Sequence, residues 1–225
     1  MCSLNNEQSI VFEKYKKGEN VFLTGPGGSG KSFLIKTIVN DAENNNIKIQ
    51  VCALTGCASI LLNCKATTIH RFSGIGIANN SIENVLKELF TKKRYKLKNW
   101  YNLKCLIIDE VSMLSLKLLL ILDSITKRVY KKPNIPFGGL QVIFSGDFYQ
   151  LPPIKSNDEE KEASMFCFEH ELWGQLFPKN NKVILKSIFR QDEAEFLKIL
   201  KYVREGRITH STKALLESRV FKKEE

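Results

Sequence analysis

Residues 25–32 read GPGGSGKS, completing the pattern G-x-x-x-x-G-K-[ST], and no other stretch so narrows what this chain can fold into. The apolar run NVFLT enters it, and SFLIKTIV, apolar at helical spacing, leaves it from Ser32. A strand must therefore arrive and a helix depart, with a glycine-rich curl between them. Such a curl turns successive backbone N–H groups inward toward phosphate oxygens, and the helix N-terminus adds partial positive charge. Gly25, Pro26, Gly27, Gly28, Ser29 and Gly30 are the expected cradle for the phosphates of a nucleotide. Lys31 is expected to meet the β- and γ-phosphates, and Ser32 to bind Mg2+ through its hydroxyl.

Four more apolar runs follow, at 47–56, 103–110, 140–147 and 182–185, with helical patterns at 32–40, 81–90 and 114–129 among them. Uninterrupted apolar strands alternating with helices predict an α/β fold, a mainly parallel sheet covered by helices on both faces. The 43% hydrophobic content of 225 residues suffices for one good core. No apolar run approaches the roughly 18 residues of a membrane span. The polar run 155–164 reads as an exposed loop.

Six cysteines form no C-x-x-C pair and sit mostly in apolar surroundings, which predicts reduced thiols. Cys52, Cys57, Cys64 and His70 match no common zinc spacing. The N-terminus lacks the basic start and apolar centre of a secretory signal. An intracellular setting is expected (nuclear, cytoplasmic, mitochondrial or viral) rather than a secreted one. Lys and Arg total 34 against 24 Asp and Glu, a net charge of +10 that suits a polyanionic partner.

CLIIDEVSML carries the chain through the sheet and releases Asp109 and Glu110 at its end. Ligands in open α/β sheets bind at those carboxyl ends. Asp109 fits the acid that holds Mg2+, and Glu110 the base that orients and deprotonates an attacking water. In FSGDFYQLPPI, residues 144–154, a buried strand closes on an amide and two prolines. Gln150 would there approach the γ-phosphate or its water, while Pro152 and Pro153 stop the strand and stiffen its exit.

Five blocks together resemble the PIF-type, RecD-like DNA helicases of superfamily one. They are LNNEQ (4–8), GPGGSGKS (25–32), TTIHRFSGIG (67–76), IIDEVSML (107–114) and PFGGLQVIFSGDFYQLPPI (136–154). SIFRQDEAEFLKILKYVREG (187–206) looks like the next block of that family. The resemblance implies a RecA-like motor that binds Mg2+ and ATP, grips single-stranded DNA and DNA forks, and moves 5′ to 3′ as a monomer. It gives Gln8 the reading of adenine and Arg190 the γ-phosphate. It gives Thr55, Gly56, Thr68, His70 and Phe72 contacts with the DNA strand. It also divides the chain into an ATPase domain over 1–186 and a helical segment over 187–225. That segment leads toward a second RecA-like domain whose later motifs the sequence does not contain. The basic run 92–98 is expected to be a solvated face. A small-molecule kinase and a module that keeps ATP as a structural ligand are the alternatives, and ATP turnover with and without single-stranded DNA separates them.

Overall fold

The structure, a computed structural model, describes residues 4–76, 80–154, 161–189 and 194–218, of which 161, 194 and 195 are described by their backbone alone. Helix α1 (Asn6–Lys16) precedes β1 (Val21–Thr24), α2 (Lys31–Asn44), β2 (Ile49–Ala53), α3 (Gly56–Leu62), β3 (Thr67–Thr68), α4 (Ile69–Ser73) and α5 (Ile82–Thr91). The rest runs β4 (Cys105–Asp109), α6 (Leu116–Tyr130), β5 (Gln141–Gly146), α7 (Glu171–Leu176), β6 (Lys182–Ile184), α8 (Ala194–Arg204) and α9 (His210–Ser218). Among the described residues six strands form one parallel sheet in the order β3-β2-β4-β5-β1-β6.

The apolar runs are uninterrupted because both faces of the sheet are covered. Successive side chains of a strand point to opposite faces. Leu106 and Ile108 of β4 accordingly join Val142 and Phe144 of β5 in a core with α5, α6 and α7. Cys105 and Ile107 join Ile143 in a second core against α1 and α2. Phe22 falls on the first side, Val21 and Leu23 on the second. A charged residue anywhere in 105–108 would be buried on one face or the other.

Five strands lie inside the predicted runs, trimmed at their ends. β3 goes unseen in the sequence because two residues are too few to show alternation. Helix α1 is capped reciprocally: the Asn5 carboxamide accepts the Gln8 N–H at 2.8 Å, and the Gln8 carboxamide accepts the Asn5 N–H at 3.0 Å. Ser81 and Ser115 cap α5 and α6 in one direction only, their hydroxyls accepting the N–H groups of Asn84 and Leu118. Most of the polar run 155–164 lies outside the described residues; its end forms a short turn, Lys161–Ala163, that buries Ala163 rather than exposing it. The FGG of residues 137–139 is structural. The buried Asp123 carboxylate accepts the Phe137 N–H at 2.7 Å, and Gly138 lies so close to α6 that a Cβ would meet the Thr126 carbonyl at 2.7 Å.

Candidate nucleotide site and strand-contact edge

Parallel strands deliver their carboxyl ends to one edge. β1 pairs with β5 as far as Thr24 opposite Gly146, and β5 with β4 as far as Phe144 opposite Ile108. The loops that leave these three strands therefore meet. A cleft of about 620 Å³ there is lined by Gly27, Gly28, Ser29, Gly30, Lys31 and Ser32 on one side, and by Asp109, Glu110 and Gln150 on the other. Gly25 and Pro26 sit behind the loop, and their carbonyls accept from Lys31 Nζ at 2.7 and 3.0 Å. Gly27 faces open space, with nothing within 4 Å of where a Cβ would be.

Gly30 caps α2 at φ +90°, a left-handed conformation, and a Cβ there would lie 2.5 Å from Gln8 Nε2. Gln8 is 2% exposed and is seated on the phosphate loop, its Nε2 3.5 Å from the Gly30 carbonyl. Its carboxamide thus also serves the α1 cap.

Burial lowers the pKa of the Lys31 ammonium, against the pull of Asp109, Asp147 and Glu110. Burial likewise raises the Asp109 carboxyl, opposed by the Ser145 hydroxyl, the Glu110 backbone and Lys31. Glu110 is raised by burial first and by the charge of Asp109 second, with Lys31 opposing. It sits at φ +57°, uncommon for a residue with a side chain. A carboxyl whose pKa is raised above the usual glutamate range is chemically suited to act as a general base. The Ser32 hydroxyl and Asp109 carboxylate are hard oxygen donors in one cleft, the set that fits Mg2+ held partly by phosphates and water. Among the described residues no three His, Cys, Asp or Glu side chains gather into a metal cluster. Of the described cysteines, Cys52, Cys105 and Cys167 are buried, whereas Cys64 is half-buried and Cys57 exposed.

Arg190 lies outside the described residues. Phe189, which the sequence reading passed over, crosses the phosphate loop: its N–H donates to the Gly28 carbonyl at 2.9 Å, and its ring is 63% exposed in the cleft. Asp147 and Arg204 likewise go unseen as a pair in the sequence. The Asp147 carboxylate, 1% exposed, accepts from Arg204 Nε at 2.6 Å and Nη2 at 2.8 Å. The GD pair marked the position of Asp147, but nothing local in the sequence pointed to a partner 57 residues away.

Of the five expected strand-contact residues, Thr55 and Gly56 follow β2, Thr68 ends β3, and His70 and Phe72 lie in α4, farther along the same edge. The Thr55 hydroxyl accepts the Ala58 N–H and caps α3; the Thr68 hydroxyl accepts the Arg71 N–H and caps α4. Gly56 is exposed, and His70 is half-buried with its imidazole pKa lowered by burial. Phe72 departs from expectation. Its ring is 5% exposed and packs 4.8 Å from Trp100, because α4 turns Ile69, Phe72 and Ser73 into the core. A base cannot stack on it there. The basic run 92–98 is the solvated face expected of it: Lys92, Arg94, Tyr95 and Lys98 are exposed, while Leu97 turns into the core and Lys96 packs on Gly74.

The sequence profile of the PIF1-like helicase family matches residues 3–214. The ATP-dependent DNA helicase RRM3 of Saccharomyces cerevisiae is 38% identical over 205 residues, which span 90% of this chain and 27% of that protein. The crystal structure of the Pif1 helicase from Candida albicans superposes with a TM-score of 0.85 at 33% identity, covering all of this chain and half of that one. The Bacteroides Pif1 helicase in complex with ADP-AlF3 and single-stranded DNA gives 0.84 at 30% identity, over 100% of this chain and 51% of that one. The fold is thus the RecA-like domain of these proteins. The chain spans about half the length of those solved structures and roughly a quarter of the curated relative.

Proposed function

The chain belongs to the PIF1-like helicase family, and on that premise we propose that it is the nucleotide-binding lobe of an ATP-dependent DNA helicase moving 5′ to 3′ on single strands. The observation that carries this reading is the convergence of Lys31, Asp109, Glu110 and Gln150 on one cleft. The loop 25–32 binds the triphosphate, with Lys31 exchanging the carbonyls of Gly25 and Pro26 for phosphate oxygens. Ser32 and Asp109 would hold Mg2+, which would supply positive charge to the phosphates. Glu110 takes the proton of the attacking water, and Gln150 senses whether the γ-phosphate is present. Arg190 stabilises charge on that phosphate, and Gln8 reads adenine.

Thr55, Gly56, Thr68 and His70, with the N–H groups of the helices that Thr55 and Thr68 cap, bind the DNA backbone. Translocation needs two lobes closing over ATP, so a second RecA-like domain, on the same polypeptide or in trans, is expected to complete the motor. The 225-residue chain alone is expected to bind ATP and hydrolyse it slowly, with little or no unwinding.

The deciding experiment is ATP turnover by the chain with and without single-stranded DNA. Stimulation supports the reading. Phosphate transfer to a small acceptor without DNA stimulation, or tight binding with no turnover at all, overturns it. Robust duplex unwinding by this chain alone would refute the two-lobe requirement.

Phe189 adds a specificity test. Its exposed ring beside Gly30 offers an aromatic face to a purine. Phe189→Ala is expected to weaken ATP affinity about three- to tenfold, measured by titration with a fluorescent ATP analogue. Unchanged affinity removes the ring from the site.

A further inference from the structure

Asp147 is joined at once to the nucleotide cleft and to a helix far along the chain, and we infer that the Asp147–Arg204 pair is the lever through which Gln150 moves α8. The inference rests on the proposed role of Gln150 at the γ-phosphate. Three sets of bonds converge on Asp147. Its main-chain carbonyl accepts the Gln150 N–H at 2.9 Å, and its Oδ1 accepts the Tyr149 N–H at 3.2 Å. Both carboxylate oxygens take the forked Arg204 guanidinium, at 2.6 and 2.8 Å. That guanidinium lies 4.3 Å from the centre of the Tyr149 ring. Residues 147–150 and Arg204 are therefore tied into one unit.

Rigidity follows from chemistry. A bidentate guanidinium–carboxylate pair fixes orientation as well as distance, which an ammonium cannot do. With Asp147 1% exposed, separating the pair would leave a buried carboxylate uncompensated. A shift of the Gln150 turn toward or away from a phosphate must then carry Arg204 with it. Helix α8 is free to follow. Of its described apolar residues only Ile199 is buried, while Phe196, Leu200 and Val203 are 37–48% exposed. The charges of Asp147 and Arg204 are both felt at Lys31, so the junction lies within electrostatic reach of the phosphate lysine. Arg204 is a positioning residue: it acts through Asp147 and the turn.

Hydrogen–deuterium exchange of residues 194–204 tests this, on the 225-residue chain with and without ADP plus aluminium fluoride. Wild-type protein is expected to change exchange in α8 on adding nucleotide. Arg204→Lys keeps the charge but loses the fork, and Arg204→Gln loses both. Each is expected to bind nucleotide within about threefold of wild type while losing the α8 response. DNA-stimulated kcat should fall about tenfold and the KM for ATP stay within about twofold. A staple serving stability alone would lower the melting temperature and leave the α8 response and kcat intact, which overturns the lever. So does a wild-type chain that binds nucleotide with no change in α8. If Arg204→Gln fails to fold, the Lys variant decides in the same two ways. Failure of the wild-type chain to bind nucleotide at all is distinguishable, because it removes the functional reading and the lever with it.

Discussion

Glu110→Gln is expected to leave nucleotide binding intact and to cut DNA-stimulated ATP turnover by about 10²- to 10⁴-fold. The substitution keeps the shape of the side chain and removes its ability to accept a proton at neutral pH. Glutamine also relieves the repulsion between Glu110 and Asp109. Binding of a polyanion is therefore expected to be equal or tighter, which separates this outcome from unfolding or loss of the site. Single-turnover hydrolysis and fluorescent-nucleotide titration on the same preparation read the two effects independently. Turnover that survives within a few-fold would remove Glu110 from the chemistry.

The same residue sets the pH dependence. The raised pKa of Glu110, from burial and from Asp109, puts the carboxyl above the usual glutamate range. A base works only when deprotonated. Turnover should therefore fall as pH drops through that raised value, at a higher pH than an ordinary glutamate would give. Asp109 is raised as well, so the acidic limb belongs to the interacting pair. In Glu110→Gln the residual rate should lose the part of that limb owed to the base, a comparison that needs only pH–rate profiles of two proteins.

The sequence was most informative where chemistry and fold make the same demand. The strand–loop–helix around 25–32 and the runs at 103–110 and 140–147 were legible because buried parallel strands leave continuous apolar stretches and deliver their ends to one edge. The gathering of Lys31, Asp109, Glu110 and Gln150 on one cleft followed from those ends. What stayed hidden depended on contacts made across long separations. Arg204 reads as one more cation on a helix until it is seen facing Asp147. Phe189 reads as an apolar residue beside the more eye-catching Arg190 until its backbone is found on the phosphate loop. Phe72 is the opposite case: it stands in a block expected to contact the strand, yet helical periodicity in α4 turns it inward. Function-bearing blocks carry structural residues too, and FGG shows it: Phe137 is wholly buried and its N–H is held by Asp123.

Gly146→Ala should damage both stability and catalysis, and the reason lies in the turn that presents Glu110. A Cβ at Gly146 would stand 2.7 Å from the Val111 nitrogen and 3.0 Å from Val111 Cγ1, with the Glu110 carbonyl carbon at 3.4 Å. The backbone there is not in the left-handed region, so the obstacle is contact and not conformation. Val111 is fully buried and cannot withdraw without opening the core. The strain must then fall on the Glu110 turn or on the end of β5, which pairs with Thr24 just before the phosphate loop. Overpacking of this kind costs about 1–3 kcal/mol. A displacement of the base by about 1 Å can lower turnover on the order of 10²-fold. Gly174→Ala in α7, where a Cβ meets nothing within 4 Å, is the matched control and should be neutral or slightly stabilising. Melting temperature and single-turnover rate, measured for both variants, separate the effects. If Gly146→Ala loses stability yet hydrolyses ATP at the wild-type rate below its melting transition, β5 yields rather than the Glu110 turn, and the base is held by Val111 and its own backbone instead of by the close approach of the two strand ends.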